Sequence, residues 1–470
     1  MPVCALLIDF GSTYTKLRAI DLAQRRVLGA GQGPSTVTSD VTVGMKVALA
    51  DLERRLGVLP NFKYRLASSS AAGGLRMVTV GLVRELTAEA ACRAALGAGA
   101  KLVGSFAYRL TASDLTAIIG LCPDILLLAG GTDGGNEEVI RYNANILARS
   151  ALDCPIVYAG NRSVAEEAAA VLAAKTVIAT DNVMPEFNVL NIEPARGVIR
   201  KIFINRIVHA KGIDRAQAMF DRVLMPTPAA VMEGAQLIAD GCAGAEGLGE
   251  LMVIDPGGAT TDVHSIANGD PAAPGVILHG LPEPRVKRTV EGDLGMRHNI
   301  RTIVDVAGLA QIASDACLSE SVCAGLLNKF ATEVERVPQS RQESAFDLSL
   351  ASAAIKIAVS RHCGRVETAY TATGAATIQH GKDLTSIATV IGTGGPFAHG
   401  NDPRALLRAS LADPSDPLSL RPTAPRLLLD KDYLLYACGL LAAVEPEAAL
   451  ELALKYLQPV ESGVPIRQPW

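Results

Sequence analysis

The sequence predicts an α/β protein of two similar halves, with a block of parallel β/α units set into the first. Three observations lead there. Leu251–Ile266, LMVIDPGGATTDVHSI, reads as an apolar strand, a turn with Asp255 and two glycines, and a second strand opening on Thr260, Thr261 and Asp262. Val3–Asp21, VCALLIDFGSTYTKLRAID, repeats the plan with Asp9, Gly11, Ser12 and Thr13. From about Thr87 to Val183, helical stretches alternate with short apolar strands, the rhythm of a parallel sheet with crossover helices.

Composition narrows the class. A chain of 470 residues holds more than one core, and 49% hydrophobic residues with a mean hydropathy of +0.26 fill them readily. Only 4% of residues are aromatic, the net charge is -4 and the pI is near 6.0, so neither base-stacking platforms nor a nucleic-acid footprint is expected. The nine cysteines include no CxxC pair and are odd in number, which favours neither a disulfide framework nor a zinc site. The histidines show no metal-ligand spacing. MPVCALLID lacks a basic leader, and no apolar run approaches the roughly 20 residues that span a bilayer. The expectation is a soluble protein of a reducing cytoplasm, without nucleic-acid or membrane partners.

In the first half, Arg26–Gly33 is expected to be a third strand, Val41–Leu56 a helix with apolar residues near helical spacing, and Tyr64–Ser70 and Leu75–Val83 further strands. Three strands, a helix and a strand are the opening order of a ribonuclease-H-like domain. Within the β/α block, Thr87 is expected to cap a helix over Ala88–Leu96 and Ser113 one that ends at Gly120. The loop Leu128–Asn136, LAGGTDGGN, joins a strand's carboxyl end to a helix, the edge where open α/β sheets bind ligands. A plain tight turn is the alternative there.

Asn205–Arg222 reads as helical, and Met225-Pro226-Thr227-Pro228 leads into a helix over Ala229–Asp240. Gly241–Gly249 reads as a surface loop. Beyond the central hairpin, Lys287–Asn299, KRTVEGDLGMRHN, sets Glu291 and Asp293 before a helix. Phe346–Val366 is expected to be one long helix. Thr385–Phe397 is a strand ending in Gly392, Thr393, Gly394 and Gly395, and Tyr433–Ala443 is an apolar helix.

The hairpins carry the chemistry. Gly257 and Gly258 let backbone amides approach an anion, and successive amides form a concave donor surface suited to phosphate. Thr260 and Thr261 add hydroxyls. Asp255 tolerates phosphate oxygens beside it only with a cation between them, which points to a metal-nucleotide site. An ordinary hairpin that needs glycine is the alternative for either turn alone. Two such turns in one chain suggest facing halves that clamp a phosphate chain. The glycine turn Gly392–Gly395 would let a base or ribose lie against backbone.

Taken in order, the hairpin with Asp9, the helix Ala229–Asp240, the hairpin with Asp255, the turn Gly392–Gly395 and the helix Tyr433–Ala443 resemble five segments of the actin, heat-shock chaperone and sugar kinase ATPase superfamily. These are phosphate-1, connect-1, phosphate-2, adenosine and connect-2. LIDFGSTYTK is similar to the chaperone and actin phosphate-1 loops, DPGGATTDV to the chaperone phosphate-2 loop, and VIGTGGPF to the adenosine loop. More narrowly, ASSSAAGGLRMVTVGL, LLLAGGTDGGN, KRTVEGDLGMR and LDKDYLLYACGLL resemble the MutL/GlmL family. Its members accompany adenosylcobalamin-dependent glutamate mutase and related mutases, and are unrelated to the mismatch-repair protein of the same name.

This resemblance implies a two-lobed actin-like ATPase of two ribonuclease-H-like domains, with ATP and Mg²⁺ as cofactors. It also implies mutase subunits as the protein partner, reactivated by exchange of damaged cobalamin; a homodimer is left open. The expected division is 1–86 for the first lobe, 87–183 for the inserted block, 184–249 for the first lobe continued, 250–430 for the second lobe, and 431–470 for the connect-2 helix and tail.

The implied roles follow residue by residue. Asp9 and Asp255 would hold Mg²⁺ through its waters, and one of them could orient the attacking water. Gly11, Ser12, Thr13 and Lys16 would meet phosphates from one lobe, and Gly257, Gly258, Ala259, Thr260 and Thr261 from the other. Asp262 would order the turn or a metal-bound water. Gly392, Thr393, Gly394 and Gly395 would flank adenosine, and Glu291 or Asp293 would reach its ribose.

One departure stands out. The chaperones carry a carboxylate just before the Pro-Thr pair that opens connect-1, and this chain has Met225 there. Glu233 or Gln236 could substitute, and slow turnover is expected. Alternatives on the same scaffold are a small-molecule kinase or ATP-dependent ring-opening enzyme, and a nucleotide-gated scaffold without catalysis.

Overall fold

Cys4–Phe10 is buried at every position, as an apolar run needs to be when a strand is covered on both faces. In the computed structural model, which describes residues 3–11, 14–36, 40–69, 75–210, 220–371 and 374–460, this run is strand β1. The chain divides into two compact units. The first comprises Met1–Glu233, Gly280–Arg288 and Gly439–Val444; the second comprises Gly234–His279, Thr289–Cys438 and Glu445–Trp470.

In the first unit β1 is followed by β2 (Tyr14–Asp21), β3 (Arg26–Pro34), helix α1 (Val41–Leu56) and β4 (Phe62–Ser69). Asp40 caps α1 by accepting from the Thr42 amide, and Gly57 at φ 79° ends it. A parallel block comes next, with strands β5 (Arg76–Gly81), β6 (Lys101–Ala107), β7 (Ile125–Leu128), β8 (Ile156–Tyr158) and β9 (Val177–Ala179) in the order β6-β5-β7-β8-β9. Its crossover helices are α2 (Glu89–Gly97), α3 (Ala112–Gly120), α4 (Glu138–Ala148) and α5 (Ala165–Val171). Ile125 and Leu127 enter one core with Leu6 and Ile8, whereas Leu126 and Leu128 enter another with Val80 and Tyr158. The ILLL run is apolar throughout because both faces of the sheet are covered.

Then come α6 (Glu193–Ala210), β10 (Arg222–Pro226) and α7 (Thr227–Asp240). Strand β10 completes the first sheet in the order β10-β4-β1-β2-β3, with β1, β2 and β3 antiparallel and β4 and β10 parallel to β1.

The second unit repeats this plan. After a two-residue pair, β11 (Gly241–Cys242) with β12 (Ala245–Glu246), come β13 (Leu251–Pro256), β14 (Thr261–Ile266), β15 (Ile277–His279) and β16 (Val286–Glu291). Helices α8 (Ile300–Ala307), α9 (Leu309–Asp315), α10 (Glu320–Thr332) and α11 (Arg341–His362) follow. Next are β17 (Arg365–Thr371), β18 (Gly374–His380), β19 (Thr389–Gly392), β20 (Arg426–Leu429), helix α12 (Leu435–Ala442) and β21 (Gln458–Pro459). The sheet order is β16-β14-β13-β19-β20-β21, again with an antiparallel hairpin joined to parallel strands. Buried residues of α8, α10 and α11, among them Ile303, Phe330 and Phe346, form its core with Met252, Ile254 and Val390. The shared strand order makes this a mixed α/β fold with two ribonuclease-H-like sheets. Among the described residues, no helix is long and apolar enough to cross a membrane.

Several elements differ from the sequence reading. Strand β5 lies inside the parallel sheet rather than extending the first one. RMVTVG is apolar on both faces, Met77 entering one core and Val78 and Val80 the other, which suits an interior strand. Helix α3 is capped by Thr111, not Ser113, through a reciprocal capping box with Asp114.

The helix expected over Asn205–Arg222 starts earlier, at Glu193, and is described to Ala210; residues 211–219 of that expectation lie outside the described residues, and Arg222–Pro226 is an edge strand, where proline is tolerated. The loop Gly241–Gly249 contains the small β11–β12 pair. The long helix stops at His362, because Arg365–Thr371 pairs with β18 in a three-stranded sheet β15-β18-β17.

Candidate functional site

Asp9 is the penultimate residue of β1. The strand registers place Met225, Ser68, Asp9, Lys16 and Gln32 in one row across the first sheet, hence on one face. Asp9 is 1% exposed. Thr227, the first residue of α7, donates its hydroxyl to Asp9 Oδ1 at 2.6 Å and lies 3.3 Å from Ser68 Oγ. Burial pushes the Asp9 carboxyl above its ordinary pKa, and the Lys16 ammonium, with the Thr227 hydroxyl, pulls it back. The Gly11 amide closes the turn on the Tyr14 carbonyl at 3.0 Å. Ser12 and Thr13 lie outside the described residues.

The second unit carries the same turn. The Gly257 amide donates to the Thr260 carbonyl at 2.8 Å, as Gly11 does to Tyr14. Asp255 pairs across the hairpin with Asp262, the same register step that pairs Asp9 with Lys16. The remaining carbonyls of this turn are tied down within the unit. Gly257 O accepts from the Met296 amide at 3.0 Å, Gly258 O from the Arg297 and His298 amides, and Ala259 O from Asn299 Nδ2 at 3.1 Å. The amides of Gly258, Ala259 and Thr260 donate to no group among the described residues. A turn with carbonyls held and successive amides open is an anion-binding concavity.

The hydroxyls are less open than the sequence suggested. Thr261 is fully buried and donates to the Leu294 carbonyl at 2.7 Å, and Thr260 donates to Asp262 Oδ2 at 3.0 Å. Gly295 must be glycine, since a Cβ there would overlap the Ala259 carbonyl.

The glycine turn after β19 lies beside Asp255. Gly394 has φ 93°, and a Cβ on it would strike Asp255 Oδ1. Thr393 is buried and donates to Asp430 Oδ2 at 2.8 Å; Asp430 in turn accepts from the Leu434 and Leu435 amides where α12 begins. Thr393 therefore holds the turn to α12, while Gly392, Gly394 and Gly395 keep side chains out of it. Glu291 and Asp293 both engage Arg361, at 2.5 Å and 2.9 Å. Burial raises the Glu291 pKa, Arg361 lowers it, and Asp293 and Asp262 raise it again.

Thr227, Ser68, Asn299, Arg361 and Asp430 were not singled out by sequence. Thr227 had a signal in its Pro-Thr pair, Asp430 lies in a family-like segment, and Asn299 lies two residues past another. Glu233, one proposed stand-in for the connect-1 carboxylate, is held by Arg200 at 2.8 Å. Gln236, the other, is half-buried. In the β/α block, the loop Leu128–Asn136 is locked by two buried asparagines. Asn161 accepts from the Gly134 amide, and Asn182 Nδ2 reaches Gly131 O and Asp133 Oδ1. Gly134, Gly135 and Asn136 stay exposed on this fixed base.

Among the described residues, no group of three or more His, Cys, Asp or Glu side chains could cage a metal ion. Carboxylates such as Asp9 and the Asp255–Asp262 pair suit an ion that keeps most of its own water, as Mg²⁺ does.

Comparison with known proteins adds the family. A family model described as MutL protein matches residues 5–457. Protein MutL of Clostridium tetanomorphum is 45% identical over 455 residues, covering 96% of this chain and 98% of the relative. Among solved structures, a nucleotide-free acetone carboxylase is 14% identical with a TM-score of 0.39, covering 94% of this chain and 70% of that one. Xylulose kinase of Bifidobacterium adolescentis is 12% identical with a TM-score of 0.33, covering 98% and 96%. The extent of the family match and the identity to its curated member show that the chain belongs to the MutL protein family.

Proposed function

We propose that the protein binds Mg²⁺ and ATP, hydrolyses ATP slowly, and serves as a chaperone-like reactivating or accessory factor for an adenosylcobalamin-dependent mutase such as glutamate mutase. The observation that carries the nucleotide reading is the second unit's turn: three carbonyls held, three successive amides open, and Asp255 beside them. Asp9 and Asp255 are the residues that would hold Mg²⁺ through its water shell. Bound there, the ion would neutralise charge on the phosphates.

Lys16 and the amides of Gly258, Ala259 and Thr260 bind phosphate oxygens, and Gly392, Gly394 and Gly395 leave room for the nucleoside. With Met225 at the position before the Pro-Thr pair and Glu233 engaged by Arg200, no carboxylate on that helix start is poised to activate water, which fits slow turnover. The mutase as partner rests on family membership, and the loop around Thr132–Asn136, exposed at Gly134, Gly135 and Asn136, is the candidate surface for contact with the mutase or its cobalamin.

Two experiments test this. Calorimetry should show ATP binding that Mg²⁺ strengthens, with Asp9→Ala and Asp255→Ala each removing the metal-dependent part; binding indifferent to both substitutions refutes the site. Pull-down with purified mutase subunits should show nucleotide-dependent association, and its absence under every nucleotide condition refutes the partner.

A further inference from the structure

We infer that Asn299 is a positioning residue that sets the direction of the phosphate-binding amides; this rests on the phosphate reading proposed above. A trans peptide is planar, so its C=O and the following N–H point in opposite directions. Holding the carbonyls of Gly257, Gly258 and Ala259 therefore aims the amides of Gly258, Ala259 and Thr260 to the other side of the turn. The first two carbonyls are held by backbone amides, those of Met296, Arg297 and His298. Among the described residues the third is held by a side chain alone, Asn299 Nδ2, which also donates to the Gly292 carbonyl at 2.7 Å.

Asn299 thus bridges the phosphate turn to the start of the Gly292–Asn299 segment, and that segment approaches closely enough to require glycine at 295. Without the bridge the Ala259–Thr260 peptide is free to rotate. Its carbonyl, rather than the Thr260 amide, can then face the anion. Asn299 precedes α8 but makes no side-chain cap bond to it, so replacing it does not remove a helix cap.

The test is calorimetry and thermal unfolding of Asn299→Ala, Asn299→Asp and Asn299→Gln in the full chain, with ATP, ADP and adenosine as probes and Asp255→Ala as the reference. Asn299→Ala should weaken ATP and ADP binding by about tenfold while leaving adenosine binding and the melting temperature near wild type. Asn299→Asp, which is isosteric but places an acceptor against two carbonyls, should weaken ATP more, and Asn299→Gln should recover part of the loss.

An equal loss for adenosine and ATP would reduce Asn299 to a structural role and overturn the inference. Wild-type ATP affinity in the Ala and Asp variants, with Asp255→Ala still impaired, would overturn the inference and leave the site standing. A wild-type chain that binds no ATP would overturn both.

Discussion

The two hairpins share a turn bond and a register, yet their electrostatics are opposite. In the first, the strand-end aspartate faces a lysine, is fully buried, and accepts from a threonine hydroxyl delivered by α7. In the second, the equivalent aspartate is half-exposed and faces another aspartate, with Glu291 near enough to be raised by it. Like charges directly opposite on a hairpin destabilise it unless a cation lies nearby. The first hairpin sets a cation across from its carboxylate; the second sets another carboxylate there. Lys16 against Asp262 is the charge difference at the shared register, beside the differences in burial and in the Thr227 hydroxyl.

Exchanging that residue should have the largest effect. Asp262→Lys gives the second hairpin the charge pairing of the first, and Mg²⁺-dependent ATP affinity should fall about 100-fold, as when a close charge pair is disrupted. Calorimetry with and without Mg²⁺ measures it, and an unchanged metal dependence would break the contrast.

Thr227→Val removes the hydroxyl that donates to buried Asp9. Urea unfolding should show a loss of about 2 kcal/mol, with Thr227→Ser close to wild type. Equal stability of all three would mean that the bond at 2.6 Å contributes nothing.

Lys16→Met removes a cation that lowers the Asp9 pKa. Asp9 then keeps its proton to higher pH, so the acid limb of an affinity–pH profile should move upward. The corresponding limb should stay in place when Lys287, remote from either turn in sequence, is replaced instead.

The smallest effect concerns the ligand-free protein. Because burial raises the Asp9 pKa above its ordinary 3.8, the folded chain holds a proton that the unfolded chain has released. Its contribution to stability is complete below pH 3.8 and is lost as pH rises through the folded value. At neutral pH the buried carboxylate weighs against folding, so Asp9→Asn should raise the melting temperature by a few degrees while weakening Mg²⁺-dependent binding. Thermal unfolding at neutral pH measures it, and an Asp9→Asn chain no more stable than wild type would break this account of the first hairpin.

What the sequence by itself determined is local. The residues read as a helix over Val41–Leu56 are α1, because apolar spacing lies within the segment. Both hairpins could be placed because strand, aspartate, glycine and hydroxyl succeed one another within a few residues. Only the tertiary structure decided which strands became neighbours, so that β5 joined the parallel sheet and β10 the first one.

It also decided what surrounds each aspartate. Thr227 reaches Asp9 across 218 positions, Arg361 reaches Glu291 across 70, and Asn299 reaches Ala259 across 40. Side-chain period and turn chemistry are fixed by adjacent residues. Which apolar strand pairs with which depends instead on loop closure and on the core each face finds, and neither is written in any one stretch of chain.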